Sequence, residues 1–176
     1  MDQRKRPYYE RLAIDEAFVG ARAARLTNII GEQGDEFFEA AGLTVPSRAS
    51  STILFINKNG PSSLVEIARA LDEQHQLTAQ RTQLLEKISI VIRKPDPNDR
   101  RRKTFHLTKH GAAEVALIER RCRQAIRIFD ALNQELGFNL SAALDAAHNC
   151  LVKKSMMERL QEIEALEAGV IDNHHG

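Results

Sequence analysis

Apolar side chains recur three and four residues apart along most of this 176-residue chain, which is the spacing of amphipathic helices. The pattern predicts a long first helix from Tyr9 to Ala41, in which Gly31 and Gly34 mark a kink or an end. Residues 47–57 predict a second helix. We therefore expect a mainly helical protein.

Two shorter helices follow, joined by a polar turn over residues 72–75. Ser62 or Ser63 can cap the first of them, and Glu66 stands three residues after Ser63, which is the spacing of a capping box. The second runs over about residues 76–88. Two short helices with a tight connection are typical of a helix-turn-helix.

The period then changes from helical to alternating, which indicates a β-hairpin. Ile90-Val91-Ile92 has the β-branched composition of a strand, and residues 103–107 alternate in polarity as a second strand does. The turn between them is rich in Pro, Asn and Asp. Two short helices followed by a hairpin with basic residues at its tip is the order of a winged helix-turn-helix.

A long helix is predicted after the hairpin, with Thr108 as its N-cap. Its apolar positions alternate three and four residues apart and form a heptad seam: Val115, Ile118, Cys122, Ala125, Phe129, Leu132 and Leu136. Gly137 can end this helix, and Ser141 can cap a final helix that reaches about Glu167. Intrachain packing explains part of the seam, and its length favours pairing with a second copy.

Composition places the chain among globular proteins, with 43% hydrophobic and 28% charged residues. It has no apolar stretch long enough for a membrane span and no signal-peptide core, so we expect a cytoplasmic protein. Cys122 and Cys150 are interpreted as buried, unreactive thiols, with oxidant sensing as the alternative. His106 and His110 lack a metal-ligand spacing, and no catalytic motif stands out, so we expect neither metal, cofactor nor enzyme activity.

The net charge of +1 does not indicate a strongly basic nucleic-acid binder, but the distribution of charge is uneven. Residues 93–103 hold six basic side chains against two acidic ones, a local charge of +4 that could neutralise phosphates. A solvated loop often carries such a run as well. Charge alone therefore leaves both interpretations open.

Three sequence motifs distinguish between these interpretations. Leu64-x-x-Ile67-Ala68-x-x-Leu71 resembles the first helix of the helix-turn-helix in the MarR family of bacterial transcription regulators. Leu85-Glu86 with Ile90-Val91 looks like the end of the family's recognition helix. Asp96-Pro97-x-Asp99-Arg100-Arg101, followed by Leu107-Thr108-x-x-Gly111, is similar to its wing and to the start of the next helix. The resemblance covers nearly the whole chain.

The resemblance implies a mainly α fold with a small β-hairpin wing (α+β), built as a winged helix-turn-helix core plus long N- and C-terminal dimerisation helices. The core would occupy residues 46–107 and the dimerisation region residues 9–45 and 108–167, with flexible tails at 1–8 and 168–176. Such a protein binds double-stranded DNA as a homodimer and responds to a small-molecule effector, phenolic or otherwise lipophilic. The alternative is a winged-helix protein-interaction module without DNA affinity.

The fourth predicted helix is the candidate reader of the major groove, where glutamine can pair bidentately with adenine. Its candidate DNA-binding residues are Gln76, Thr78, Ala79, Gln80, Arg81 and Gln83. Opposite the outward positions lies an apolar stripe of Leu77, Leu84, Leu85 and Ile88. Arg81 lies at the edge of this stripe, where it could contact phosphate or pair with an acidic residue of the fold. Thr82 replaces an expected aliphatic residue and should pack less well.

At the wing, the resemblance implies that Arg101 enters the minor groove while Asp99 fixes the arginine side chain. Three further basic residues are interpreted as phosphate contacts that set orientation: Arg100, Arg102 and Lys103. Ser89 stands where the family usually has glycine, so we expect strain between the recognition helix and the wing.

Overall fold

The computed structural model describes residues 7–97, 99 and 101–172. The chain divides into two compact units, residues 1–122 and 123–176. The helices are α1 (Val19–Glu39), α2 (Ser50–Asn59), α3 (Leu64–Ala70), α4 (His75–Lys87), α5 (Lys109–Leu136), α6 (Leu140–Lys153) and α7 (Met156–Asp172). The strands are β1 (Ser62–Ser63), β2 (Val91–Pro95) and β3 (Lys103–Leu107). The predicted fold class, mainly α with a small β wing, is confirmed.

The first helix is shorter than predicted. Single 3-10 turns at Tyr8–Arg11 and Asp15–Ala17 precede α1, which begins at Val19. Arg22 of α1 reaches back to this segment and donates to the Asp15 carboxylate at 2.8 Å and to the Asp15 carbonyl. Side-chain bonds from the helix thus hold the second turn, and the predicted start at Tyr9 is wrong.

Gly31 and Gly34 lie inside α1 and do not end the helix. They make room for the 3-10 turn Ser47–Ala49 that precedes α2. A Cβ at Gly31 would lie 1.9 Å from Arg48 Nε, and one at Gly34 would lie 2.6 Å from the Ser47 hydroxyl. Asp35 accepts hydrogen bonds from the Ser47 amide and hydroxyl, both at 2.7 Å. These glycines are therefore close-approach positions.

The first unit has one apolar core to which α1, α2, α3, α4, the sheet and α5 contribute. Its buried side chains are Phe38, Leu43, Val45, Ala49, Ile53, Ile56, Ile67, Leu85, Ile90, Val91, Phe105, Val115 and Ile118. Val115 and Ile118 are the first two positions of the predicted heptad seam. Intrachain packing therefore explains the beginning of that seam.

The wing is a three-stranded antiparallel sheet with β3 between β1 and β2. Val91 pairs with Leu107 in the predicted hairpin, which is confirmed. Ser62 pairs with Phe105 in a strand that the sequence did not predict, because two serines before a helix also fit a cap. Through its pairing with β3, β1 connects the start of α3 to the β2–β3 hairpin.

The connection from α4 to the wing is a Schellman motif. The Ile90 amide donates to the Leu85 carbonyl at 2.9 Å, and the Ser89 amide donates to the Glu86 carbonyl at 3.1 Å. Ser89 has a φ of 60°, in the left-handed region that favours glycine. The strained turn expected at Ser89 is therefore observed.

Thr108 joins this connection to α5. Its hydroxyl donates to the Ser89 carbonyl at 2.7 Å and accepts from the Gly111 amide at 3.0 Å, so the predicted N-cap is confirmed. A Cβ at Gly111 would lie 2.2 Å from the Ile90 carbonyl oxygen. The motif Leu-Thr-x-x-Gly thus packs the first turn of α5 against Ser89 and Ile90, which directly precede β2.

In the second unit, the single final helix predicted from the sequence is wrong, because a new cap interrupts it. Ser155 and Glu158 form a reciprocal cap at the start of α7, with main-chain to side-chain bonds of 2.7 and 3.2 Å. Hydrogen bonds from Ser155 lower the pKa of the Glu158 carboxyl. Asn139, not Ser141, caps α6 by accepting from the Ala142 amide at 2.9 Å.

The second unit exposes many apolar side chains, and no residue of α6 is buried. The largest exposed ones on α6 and α7 are Leu144, Leu151, Val152, Met156, Met157, Leu160, Ile163 and Leu166, each 46–77% exposed. Cys150 is exposed and Cys122 is half-buried, so the prediction of two buried thiols is wrong for Cys150. Within the described residues, no helix is long and apolar enough to cross a membrane.

Candidate nucleic-acid interface

α4 presents a polar face to solvent. Gln76, Gln80 and Gln83 are exposed and Ala79 is half-buried, as the helical wheel predicted. Residues three and four apart lie on the same side of a helix, so the three glutamines form one row. These four residues remain candidate contacts for base edges.

The inner face of α4 is more polar than predicted. Thr78, Thr82 and Leu85 are buried, whereas Leu77 and Leu84 are 41% and 39% exposed. The Thr82 hydroxyl donates to the Thr78 carbonyl at 2.9 Å, which satisfies its polar atom inside the core. The predicted apolar stripe is therefore wrong at Leu77 and Leu84, and Thr78 is not available for contact with DNA.

Arg81 takes the second of its two predicted roles. It forms an ion pair with Glu73, in the turn before α4, and the two side chains are only 20% and 16% exposed. The other Glu73 oxygen accepts from the Thr78 hydroxyl at 3.3 Å. Arg81 thus ties α4 to the turn of the helix-turn-helix, which favours the second role, and its contact with DNA stays a prediction.

At the wing tip, Asp99 acts on the main chain. Its carboxylate accepts from the Arg101 amide at 2.9 Å, and its carbonyl accepts from the Arg102 amide at 2.9 Å. The resemblance implied that Asp99 fixes the Arg101 side chain, and the observed bond instead fixes the backbone that carries it. Arg101 is exposed, and Arg100 lies outside the described residues.

Arg102 points to the helix-turn-helix and not to the outer surface of the wing. Its guanidinium forms an ion pair with Glu66 and lies 3.5 Å from the Asp96 carboxylate and 3.4 Å from the Ser63 hydroxyl. Hydrogen bonds from Arg102, and then from the Ser63 amide and hydroxyl, lower the pKa of Glu66 to about 2. These contacts engage Arg102 within the fold, and its role as a phosphate contact stays a prediction.

The exposed basic side chains described on the wing differ in whether they form ion pairs. Arg93 pairs with Glu86 at 3.3 Å. Lys94, Arg101 and Lys103 are exposed and make no ion pair within the part of the chain that the structure describes. The positive charge predicted from residues 93–103 is thus presented chiefly by these three side chains.

The histidines near the wing serve local contacts. His106 Nε2 lies 3.0 Å from the Thr104 hydroxyl, and burial together with the charge of Lys94 lowers the pKa of His106. His110 Nε2 lies 3.3 Å from Glu114. Among the described residues, no group of three or more His, Cys, Asp or Glu side chains could hold a metal ion.

Solved structures share this architecture, although no family model and no curated protein matches the sequence. A MarR transcriptional regulator from Methanosarcina mazei Go1 matches with a TM-score of 0.56 and 16% identity, over 78% of this chain and 98% of that one. The transcriptional repressor CouR bound to a 23-mer DNA duplex matches with a TM-score of 0.53 and 25% identity, over 77% and 90%. Overoxidized AbfR bound to DNA matches with a TM-score of 0.50 and 20% identity, over 73% and 94%. The chain therefore has the winged-helix fold of the MarR transcription regulators.

Proposed function

We propose that this protein is a cytoplasmic transcription regulator that binds double-stranded DNA as a homodimer. The observation that carries the proposal is the pairing, on one compact unit, of an exposed glutamine row on α4 with exposed basic side chains on the adjacent wing. A major groove admits an α-helix, and minor-groove potential attracts an arginine at a wing tip. Solved proteins of this fold that are bound to DNA support DNA as the partner.

Each part of this surface has a distinct task. Gln76, Gln80 and Gln83 read base edges, where a good bidentate pair discriminates by about 1–3 kcal/mol. Arg101 enters the minor groove on a backbone held by Asp99. Lys94 and Lys103 contact phosphates, together with Arg100 on the strength of the resemblance alone. Phosphate contacts set the orientation of the protein and carry no sequence information.

The apolar surface of the second unit is the basis for the homodimer. Exposed apolar patches of this kind mark interaction sites, and a second copy of the chain offers the same helices as a matching surface. Two copies would present their recognition helices to half-sites about 10 bp apart. We expect sedimentation equilibrium to show a dimer at micromolar concentration and Leu160→Glu, which places a charge among these side chains, to give monomers. A monomeric wild-type protein would contradict the dimer.

DNA binding is tested by selecting from a random-sequence duplex library with the purified chain. We expect enrichment of a pseudo-palindromic duplex, whose affinity falls steeply as salt rises. Gln80→Ala and Gln83→Ala should weaken binding to that duplex about fivefold to a hundredfold at fixed salt. Gln33→Ala, which removes an exposed glutamine from α1, is the matched control and should have no effect. Absence of enrichment and of salt-dependent binding would favour the protein-interaction module instead.

We also propose that a small molecule modulates DNA binding. A cavity of about 720 Å³ lies beside α1 in the first unit. It is lined by Glu10, Arg22, Arg25, Leu26, Asn28, Ile29 and Glu32. Arg22 and Arg25 are already ion-paired, with Asp15 and with Glu10, so a small aromatic acid or phenol would compete for these arginines or pack against Leu26 and Ile29. Benzoate and phenol should raise the Tm and weaken DNA binding, and if neither compound changes either quantity, this effector class is wrong.

A further inference from the structure

We propose that Arg102 is a positioning residue, which sets the angle of the wing against the helix-turn-helix through its ion pair with Glu66 and makes no phosphate contact. The inference rests on the proposed function, because the wing angle matters for DNA binding. It concerns a contact within the first unit that joins the wing to the first turn of α3.

The α3 side of this contact has hydrogen bonds that do not involve Arg102. Ser63 and Glu66 form a capping box, in which Glu66 Oε2 accepts from the Ser63 amide at 2.8 Å and from its hydroxyl at 2.9 Å. The Glu66 amide donates back to the Ser63 hydroxyl at 3.4 Å. The same Oε2 atom receives the Arg102 guanidinium. The carboxylate is therefore held in place by main-chain geometry at the start of a helix, not by a flexible side chain alone.

The wing side of the contact is also fixed. The Arg102 amide donates to the Asp99 carbonyl, and the Arg102 carbonyl accepts from the Asp96 amide, both at 2.9 Å. The Asp96 carboxylate lies 3.5 Å from Arg102 Nε, so the guanidinium lies between two carboxylates. Next to it, Ser63 pairs with Thr104 in the β1–β3 ladder. Arg102 therefore connects two segments that each have a defined conformation.

The negative charge of Glu66 distinguishes a positioning role of Arg102 from a phosphate contact. The Glu66 carboxylate is ionised at neutral pH, as it would be at its ordinary pKa of 4.5, and the hydrogen bonds from Arg102 and Ser63 lower that pKa further. An arginine that turned to phosphate would leave this carboxylate unpaired beside a polyanion. Replacing Glu66 by glutamine removes that negative charge, which by itself should strengthen DNA binding. If Arg102 positions the wing, the same replacement should weaken binding, so the two roles predict opposite signs.

The experiment compares Arg102→Ala, Glu66→Gln and the double variant in fluorescence anisotropy titrations. The probes are the duplex enriched from the random library and an unrelated duplex of equal length, each at several salt concentrations. Glutamine keeps the capping-box spacing, so Glu66→Gln should leave α3 intact, and circular dichroism checks this. Lys103→Ala is the matched control for an exposed basic residue of the same wing.

We expect each single variant to bind the enriched duplex about two- to fivefold more weakly, the range for a partly exposed ion pair. The double variant should be no weaker than either single variant, because one contact is lost in all three. The slope of log affinity against log salt should stay unchanged in these variants, whereas Lys103→Ala should reduce it by about one. Unchanged or stronger binding by Glu66→Gln, together with a reduced slope for Arg102→Ala, would overturn the proposal.

A measurement without DNA keeps the proposal separate from the proposed function. Hydrogen exchange of the wing amides should be faster in Arg102→Ala and in Glu66→Gln by a similar factor, with the amides of α4 unchanged. Identical wing exchange in the wild type and both variants would overturn the positioning role whether or not DNA binds. If the wild-type protein binds no duplex but wing exchange is faster in both variants, DNA binding is refuted. The positioning role of Arg102 is then still supported.

Discussion

Replacing Ser89 by glycine is expected to stabilise the protein. Ser89 occupies the left-handed position of the Schellman motif at the end of α4, with a φ of 60°. Its side chain is exposed, and the hydrogen bonds described for it, to Glu86 and from Thr108, belong to the main chain. A glycine can keep all of these bonds. The substitution therefore changes the conformational cost of the turn and little else.

The magnitude follows from two opposing effects. A left-handed conformation costs a residue with a Cβ about 1–2 kcal/mol. Glycine loses about 0.5–1 kcal/mol more chain entropy on folding than alanine does. At the midpoints of these two ranges, Ser89→Gly should raise the free energy of unfolding by about 0.75 kcal/mol. In a chain of this length, that corresponds to a Tm increase of about 1–4 °C.

Urea unfolding followed by circular dichroism, at one protein concentration, measures this difference. Ser89→Ala is the matched control, because it removes the hydroxyl but keeps the Cβ, and it should be close to neutral. Gly42→Ala provides a control of opposite sign. Gly42 has a φ of 79° and open space where a Cβ would lie, so the variant should lose about 1 kcal/mol from backbone strain alone. If Ser89→Gly is no more stable than Ser89→Ala while Gly42→Ala is destabilised, the turn at Ser89 is not strained.

Three further predictions concern other contacts of the fold. Gly111→Ala should lower the free energy of unfolding by about 1–3 kcal/mol, because its Cβ would meet the Ile90 carbonyl at 2.2 Å; unfolding in urea measures this, and a neutral variant would contradict the close approach. Ser155→Ala should cost about 0.5–2 kcal/mol by removing the cap of α7, and no loss of helicity or stability would show that the cap is dispensable. The pKa of Glu66 is lowered from 4.5 to about 2, so its ionised form stabilises the fold above pH 4.5, and this contribution is lost as the pH falls towards 2. The stability difference between the wild type and Glu66→Gln should shrink over that range, and a pH-independent difference in urea midpoints would refute the assignment.

The features that the sequence predicted depend on residues close together in the chain. The capping box of Ser63 and Glu66, the Thr108 cap and the hairpin each follow from a few neighbouring positions with strong preferences. The same rule applied to Ser155 and Glu158 would have separated α6 from α7, because the spacing equals that of the first capping box. That boundary was therefore predictable and was missed.

Other features depend on contacts that polarity and spacing do not reveal. Arg102 has several acidic residues within reach along the chain, and only the folded wing brings it to Glu66. Thr78 and Thr82 are polar, yet they are buried because hydroxyls can bond to carbonyls of the preceding turn. Polarity places Thr78 among the candidate DNA contacts, whereas Thr82 is expected at an inward, aliphatic position. The inner face of α4 is therefore misassigned at Thr78, while Thr82 and the glutamine row lie on the faces predicted for them.

The Thr108 hydroxyl lies where three elements meet. It donates to the carbonyls of Ser89, in the turn after α4, and of Ile90, the residue before β2, and it accepts from the Gly111 amide in the first turn of α5. The Thr108 amide also donates to the Ile90 carbonyl at 3.0 Å. These bonds couple the first turn of α5 to the end of α4 and to the residue before β2, so a displacement of that turn would strain the contacts at Ser89 and Ile90 together.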